Sequence, residues 1–113
     1  MSGLTTHVLD TMHGRPAAGV GVRLSREGQA VTTAITNQDG RVDPPLLTGA
    51  ELIAGRYRLE FDIGEYYRGM GVNLAEPAFL DVVVIDFGVS GVGSHYHVPL
   101  LVSPFGYSTY RGS

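Results

Sequence analysis

The 113-residue chain sets 8 basic side chains, all arginine, against 11 acidic ones, and a net charge of −3 excludes an extended nucleic-acid footprint. Lysine and cysteine are both absent, which removes Schiff-base chemistry, a P-loop lysine, thiolate nucleophiles, disulfides, zinc fingers and iron–sulfur clusters. The length suits one domain over 1–113, and 43% hydrophobic with only 17% charged residues predicts surface hidden against a second copy of the chain.

At the N-terminus, Met-Ser-Gly-Leu-Thr-Thr-His has neither a basic n-region nor an apolar h-region, so no signal peptide is expected. No apolar run approaches the roughly 18 residues that span a bilayer. The expectation is a soluble cytoplasmic protein with no membrane partner.

The first strand is expected around His7, with Thr5 and Leu9 on the same face. His13, beside Gly14, falls in a polar turn and is expected in solvent. Val20, Val22 and Leu24 alternate with small or charged residues, and Val31 to Thr36 is β-branched, so these two pieces pair across an Arg26-Glu27-Gly28 turn. Asn37-Gln-Asp-Gly40 reads as a second turn that delivers Arg41 to an extended segment. In Arg56 to Ile63, Tyr57, Leu59, Phe61 and Ile63 share one face, the clearest half-buried strand in the chain. Gly64 to Met70 is the one candidate helix, weakened by its glycines. Phe79 to Phe87 is expected as a strand buried on both faces in its middle, because Val82 to Ile85 is continuously apolar. His95 to Ser103 and Tyr107 to Tyr110 complete the pattern. Seven or eight short strands, almost no helix, and 16 glycines and 6 prolines spread along the chain predict an all-β sandwich.

Of the four histidines, His95 and His97 stand two apart, so a strand points both to one face. Two readings stand for the pair. Either these are strand residues bonded to backbone carbonyls, or they join His7 as three imidazoles around a catalytic zinc. No acidic residue closely follows the pair, and no side chain is marked as an orienter. Arg41 is a candidate oxyanion or anion clamp, against the alternative of a solvated hairpin arginine. The ending Tyr107-Ser-Thr-Tyr-Arg-Gly-Ser113 packs aromatics and hydroxyls where chains usually fray, which points to an ordered tail.

Five segments then carry a resemblance: Thr6-His-Val-Leu-Asp10, Gly14-Arg-Pro-Ala17, Asp39-Gly-Arg41, His95-Tyr-His-Val-Pro-Leu-Leu101 and Gly106-Tyr-Ser-Thr-Tyr-Arg-Gly-Ser113. In order and spacing the chain resembles the transthyretin-related 5-hydroxyisourate hydrolases of urate breakdown. Tyr-Arg-Gly-Ser is the most specific piece, since hormone-binding transthyretins lack it. The resemblance implies a two-sheet sandwich of about eight strands with one short helix, assembled as a dimer of dimers with sites in the channel between dimers. It implies a catalytic group of His7, Arg41, His97 and Ser113, with His7, Arg41 and Tyr110 contacting substrate and His95 in support. It further implies water addition to a ring carbonyl of 5-hydroxyisourate, yielding 2-oxo-4-hydroxy-4-carboxy-5-ureidoimidazoline without metal or cofactor. Gly69 to Phe79 departs from the family pattern, which is expected to alter the helix exit alone. The rival readings are a His-ligated zinc hydrolase and a non-catalytic small-molecule carrier.

Overall fold

A computed structural model describes residues 3–91 and 94–112. Its elements are β1 (Gly3–Asp10), β2 (Arg15–Pro16), β3 (Gly21–Arg26), β4 (Gln29–Ile35), β5 (Leu47–Thr48), β6 (Gly55–Asp62), α1 (Ile63–Gly69), β7 (Val82–Val89), β8 (His95–Ser103) and β9 (Gly106–Thr109). They form two sheets. One runs β2-β1-β8-β9 with β5 also paired to β1, and the other runs β4-β3-β6-β7.

Period-two alternation decides which face of each sheet is buried. Leu4 and Val8 from β1, and Val98, Leu100 and Val102 from β8, meet Val22 and Leu24, Leu59 and Phe61, and Val83 and Ile85 from the opposite sheet. The expected β3–β4 hairpin turns at Glu27-Gly28, where both residues take the positive φ that such a tight reversal needs.

One strand differs from expectation. The segment expected as Phe79 to Phe87 is β7, running Val82–Val89, and it is buried on one face only: Val83, Ile85 and Val89 are inside, whereas Val82 and Val84 are exposed. In a two-sheet sandwich each strand faces the interior on one side alone, so continuous apolarity does not mean double burial within this chain.

The helix forms where expected and ends in a Schellman motif. Gly71 adopts φ +82° and donates to Arg68 O, while Val72 N donates to Tyr67 O. Two adjacent tyrosines fasten α1 to β1. Asp10 is buried at the end of β1, and its carboxylate accepts from Tyr66 Oη and Tyr67 Oη at 2.7 Å each and from His13 Nδ1 at 2.6 Å. Burial pushes this carboxyl upward, but the hydrogen bonds from His13, Tyr66 and Tyr67 together hold it below its ordinary range. Burial, with Asp10 alongside, pushes the Tyr66 phenol up to about 12 and that of Tyr67 further still. His13 is exposed as a residue, as expected, yet its ring is tied to this carboxylate rather than free in solvent.

Candidate active site

The parallel pairing of β1 with β8 sets the frame, because Thr5 lies directly opposite His97 and His7 opposite Pro99. In-register residues of paired strands point to the same side. Leu4, Thr6, Val8 and Asp10 fill the interior, so Thr5 and His7 share the outer face with His97.

Arg41 is brought to this face by the turn before it. Asn37 Oδ1 accepts from the backbone N–H of Asp39 at 2.9 Å and of Arg41 at 3.1 Å. Gly40 adopts φ +73°, and a Cβ there would strike the carbonyl oxygen of Val8. With glycine the approach succeeds: Val8 N donates to Gly40 O at 2.8 Å, and Arg41 forms a β-bridge with His7.

The histidines are held by different partners. His7 Nε2 stands 2.8 Å from Asp39 O, and since a carbonyl only accepts, that nitrogen carries hydrogen. His97 Nδ1 stands 2.8 Å from Thr5 Oγ1. Burial pushes the His97 imidazole below its ordinary value, and the charges of Arg41, His7 and His95 push it further down. A neutral His97 is therefore the resting form near neutral pH.

The tail closes over the same ring. Gly112 N donates to His97 O at 2.7 Å, Arg111 lies 3.9 Å above the Tyr96 ring, and its guanidinium donates to His95 O at 3.3 Å. Tyr110 is 61% exposed. Ser113 lies outside the described residues. His95 Nδ1 is buried and has no hydrogen-bond partner among the described residues.

His7, Arg41 and His97 thus come together, with Tyr110 on the strand of tail that leads to Gly112. The zinc alternative finds no support, since among the described residues no three His, Asp or Glu side chains are grouped to hold one ion. Sequence reasoning missed Thr5 and Gly112. Thr5 had a signal in its shared face with His7, whereas nothing in the sequence marks Gly112 as the neighbour of a histidine ring.

An open sheet face carrying imidazoles and a guanidinium, on a two-sheet sandwich, defines a small β-protein built for polar acid–base chemistry rather than for an apolar ligand. The family model described as HIUase/Transthyretin family matches residues 4–112, and the chain belongs to that family. A protein of Mesorhizobium japonicum named 5-hydroxyisourate hydrolase is 60% identical over 114 residues, covering 97% of this chain and 91% of its own length. One of the same name from Pseudomonas aeruginosa is 55% identical over 117 residues, covering 100% of this chain and 93% of the relative. The solved structure of Klebsiella pneumoniae 5-hydroxyisourate hydrolase is 41% identical and superposes with a TM-score of 0.85, each chain covered in full.

Proposed function

We propose that this chain, read as one domain over 1–113, hydrolyses 5-hydroxyisourate in urate degradation, using His7, Arg41, His97, Tyr110 and Ser113 and neither metal nor cofactor. The observation that carries the reading is the meeting of His7, Arg41 and His97 on one face, with the Tyr-Arg-Gly tail bonded to the His97 backbone. The names and full-length identities of the relatives support the same substrate.

Water must lose a proton to attack a ring carbonyl. His97 suits that step because burial and neighbouring cations keep it neutral, and among the described residues its Nε2 has no partner. The water oxygen bonds to the carbonyl carbon while its proton passes to Nε2. The resulting oxyanion is stabilised by the Arg41 guanidinium, whose two parallel donors match it. Collapse breaks the ring carbon–nitrogen bond, the imidazolium returns its proton to the departing nitrogen, and the opened ring carries a carboxylic acid that loses its remaining proton to solvent. His7 and Tyr110 orient the substrate, and the part of Ser113 is carried over from the family resemblance alone.

We further propose assembly as a dimer of dimers and a cytoplasmic setting. A hollow of about 1280 Å³ among the described residues lies on the outer face of the other sheet, against Arg23, Arg58 and Asp86, and includes none of the proposed catalytic group. A second copy across the open face would supply the wall that one chain lacks. No helix among the described residues is long and apolar enough to cross a membrane.

The deciding experiment follows the ultraviolet decay of freshly generated 5-hydroxyisourate with and without the protein. Accelerated decay that persists in EDTA is expected. Loss in EDTA with recovery on adding zinc would restore the metal reading, and binding without turnover would make this member a carrier.

A further inference from the structure

We propose that Thr5 is a positioning residue for this reaction, its hydroxyl holding the orientation of His97 and accepting from Nδ1–H in the working tautomer; the assignment rests on the hydrolase reading above. The ring of His97 is gripped on two of its edges. Its Nδ1 edge meets Thr5 Oγ1 at 2.8 Å, and its Cδ2 edge faces Gly112, where even a Cβ would come within 2.6 Å. Only the edge bearing Nε2 is left to face a substrate.

The tautomer follows from proton counting. Neutral imidazole carries one N–H, so Nε2 accepts a proton from water only if the hydrogen already sits on Nδ1. An Nδ1–H needs an acceptor, and the Thr5 hydroxyl is the one in place. It serves the imidazolium equally, because that form keeps Nδ1–H and strengthens the bond with charge. The groups whose charges act on His97 are Arg41 at the bridge, His7 on β1 and His95 on β8, and none of them is hydrogen-bonded to Nδ1 among the described residues.

The neighbouring residue shows that the hydroxyl's role is specific to its face. Thr6 Oγ1 is buried and donates to Val98 O at 2.7 Å, an ordinary interior bond between the same two strands. Thr5 makes no other side-chain hydrogen bond among the described residues, and its β-branched side chain has few rotamers in which to wander.

Thr5→Val keeps the shape and removes the acceptor, and Thr5→Ser restores it. With the wild-type protein active, Thr5→Val is expected to lower kcat by roughly 10–100-fold with KM within about twofold, the scale on which small misplacements are felt. It should also move the acid limb of kcat/KM to lower pH, since the bond it removes favours imidazolium. Thr5→Ser should recover both. Wild-type kcat in Thr5→Val, a loss confined to KM, or no recovery in Thr5→Ser would overturn the assignment while leaving the hydrolase reading intact; an inactive wild type would instead sink the hydrolase reading. Nitrogen-15 NMR of the wild-type protein decides the matter even if Thr5→Val fails to fold. Neutral His97 protonated at Nδ1 is expected, and protonation at Nε2 would refute the proposal.

Discussion

Gly112 lies flat against His97: its amide donates to the histidine's carbonyl at 2.7 Å, and a Cβ in its place would sit 2.6 Å from ring atom Cδ2. Real Cβ atoms do not tolerate such a contact, so any larger residue must displace either the tail or the ring. The ring has little freedom, because Thr5 holds its far side.

Gly112→Ala is therefore expected to lower kcat by about tenfold or more while the sandwich folds normally, since a displacement near 1 Å is enough to impair a positioned base. Steady-state turnover beside far-ultraviolet circular dichroism checks this. An alanine variant with full activity would show that the tail yields freely and does not set the position of His97.

Arg41 is bridged to His7 through the backbone at this face, and its side chain makes no hydrogen bond to protein among the described residues. Its donors are thus available to a developing oxyanion. Arg41→Ala should reduce turnover by about a hundredfold, the usual scale for one lost electrostatic donor. The exposed side chain contributes little to packing, so the thermal midpoint should hardly move. A rate unchanged in this variant would remove Arg41 from the mechanism.

The pH profile tests the choice of base. Burial first, and then Arg41, His7 and His95, hold His97 below its ordinary value of 6.5, so the acid limb of kcat/KM should have its midpoint below 6.5. The sign for Arg41→Ala is opposite to that for Thr5→Val: removing a neighbouring cation lets the imidazole protonate more easily, and the limb should move up. A limb that stays in place in Arg41→Ala would mean that a group other than His97 governs it.

Much of this was legible because strands announce themselves by alternation. Tyr57, Leu59 and Phe61 point inward as their period requires, and His95 and His97 share a face for the same reason. The meeting of His7 with both His97 and Arg41 was not legible from spacing. It depends on a parallel pairing of β1 with β8, remote in sequence, and on a glycine at 40 that lets the turn touch Val8. Resemblance supplied the catalytic group, but Thr5 escaped because a threonine facing out of a strand looks like any solvated one. The doubly buried strand was misread because an apolar run reports what a segment avoids and not which neighbour covers it. Val82 and Val84 have no cover within this chain.

Asp10 offers the sharpest test of stability. Asp10 is 1% exposed and accepts from two phenols and an imidazole, so Asp10→Ala leaves the Tyr66 phenol without its acceptor at the junction of β1 and α1, whereas Tyr67 keeps Val102 O at 2.9 Å and His13 can turn to solvent. The cost is about 1–3 kcal/mol, the range for one buried group left unpaired. In a chain of this size that corresponds to a fall in melting temperature on the order of 10 °C. The pH dependence has a definite sign. The folded carboxyl lies below its ordinary value of 3.8, so its contribution is fully present above that value and is lost as pH falls through the folded pKa. The wild-type advantage over Asp10→Ala in calorimetry should accordingly be largest near neutral pH and shrink in acid. An advantage that grew on acidification would mean that the carboxyl is protonated in the folded state, and the hydrogen-bonded carboxylate would have to be abandoned.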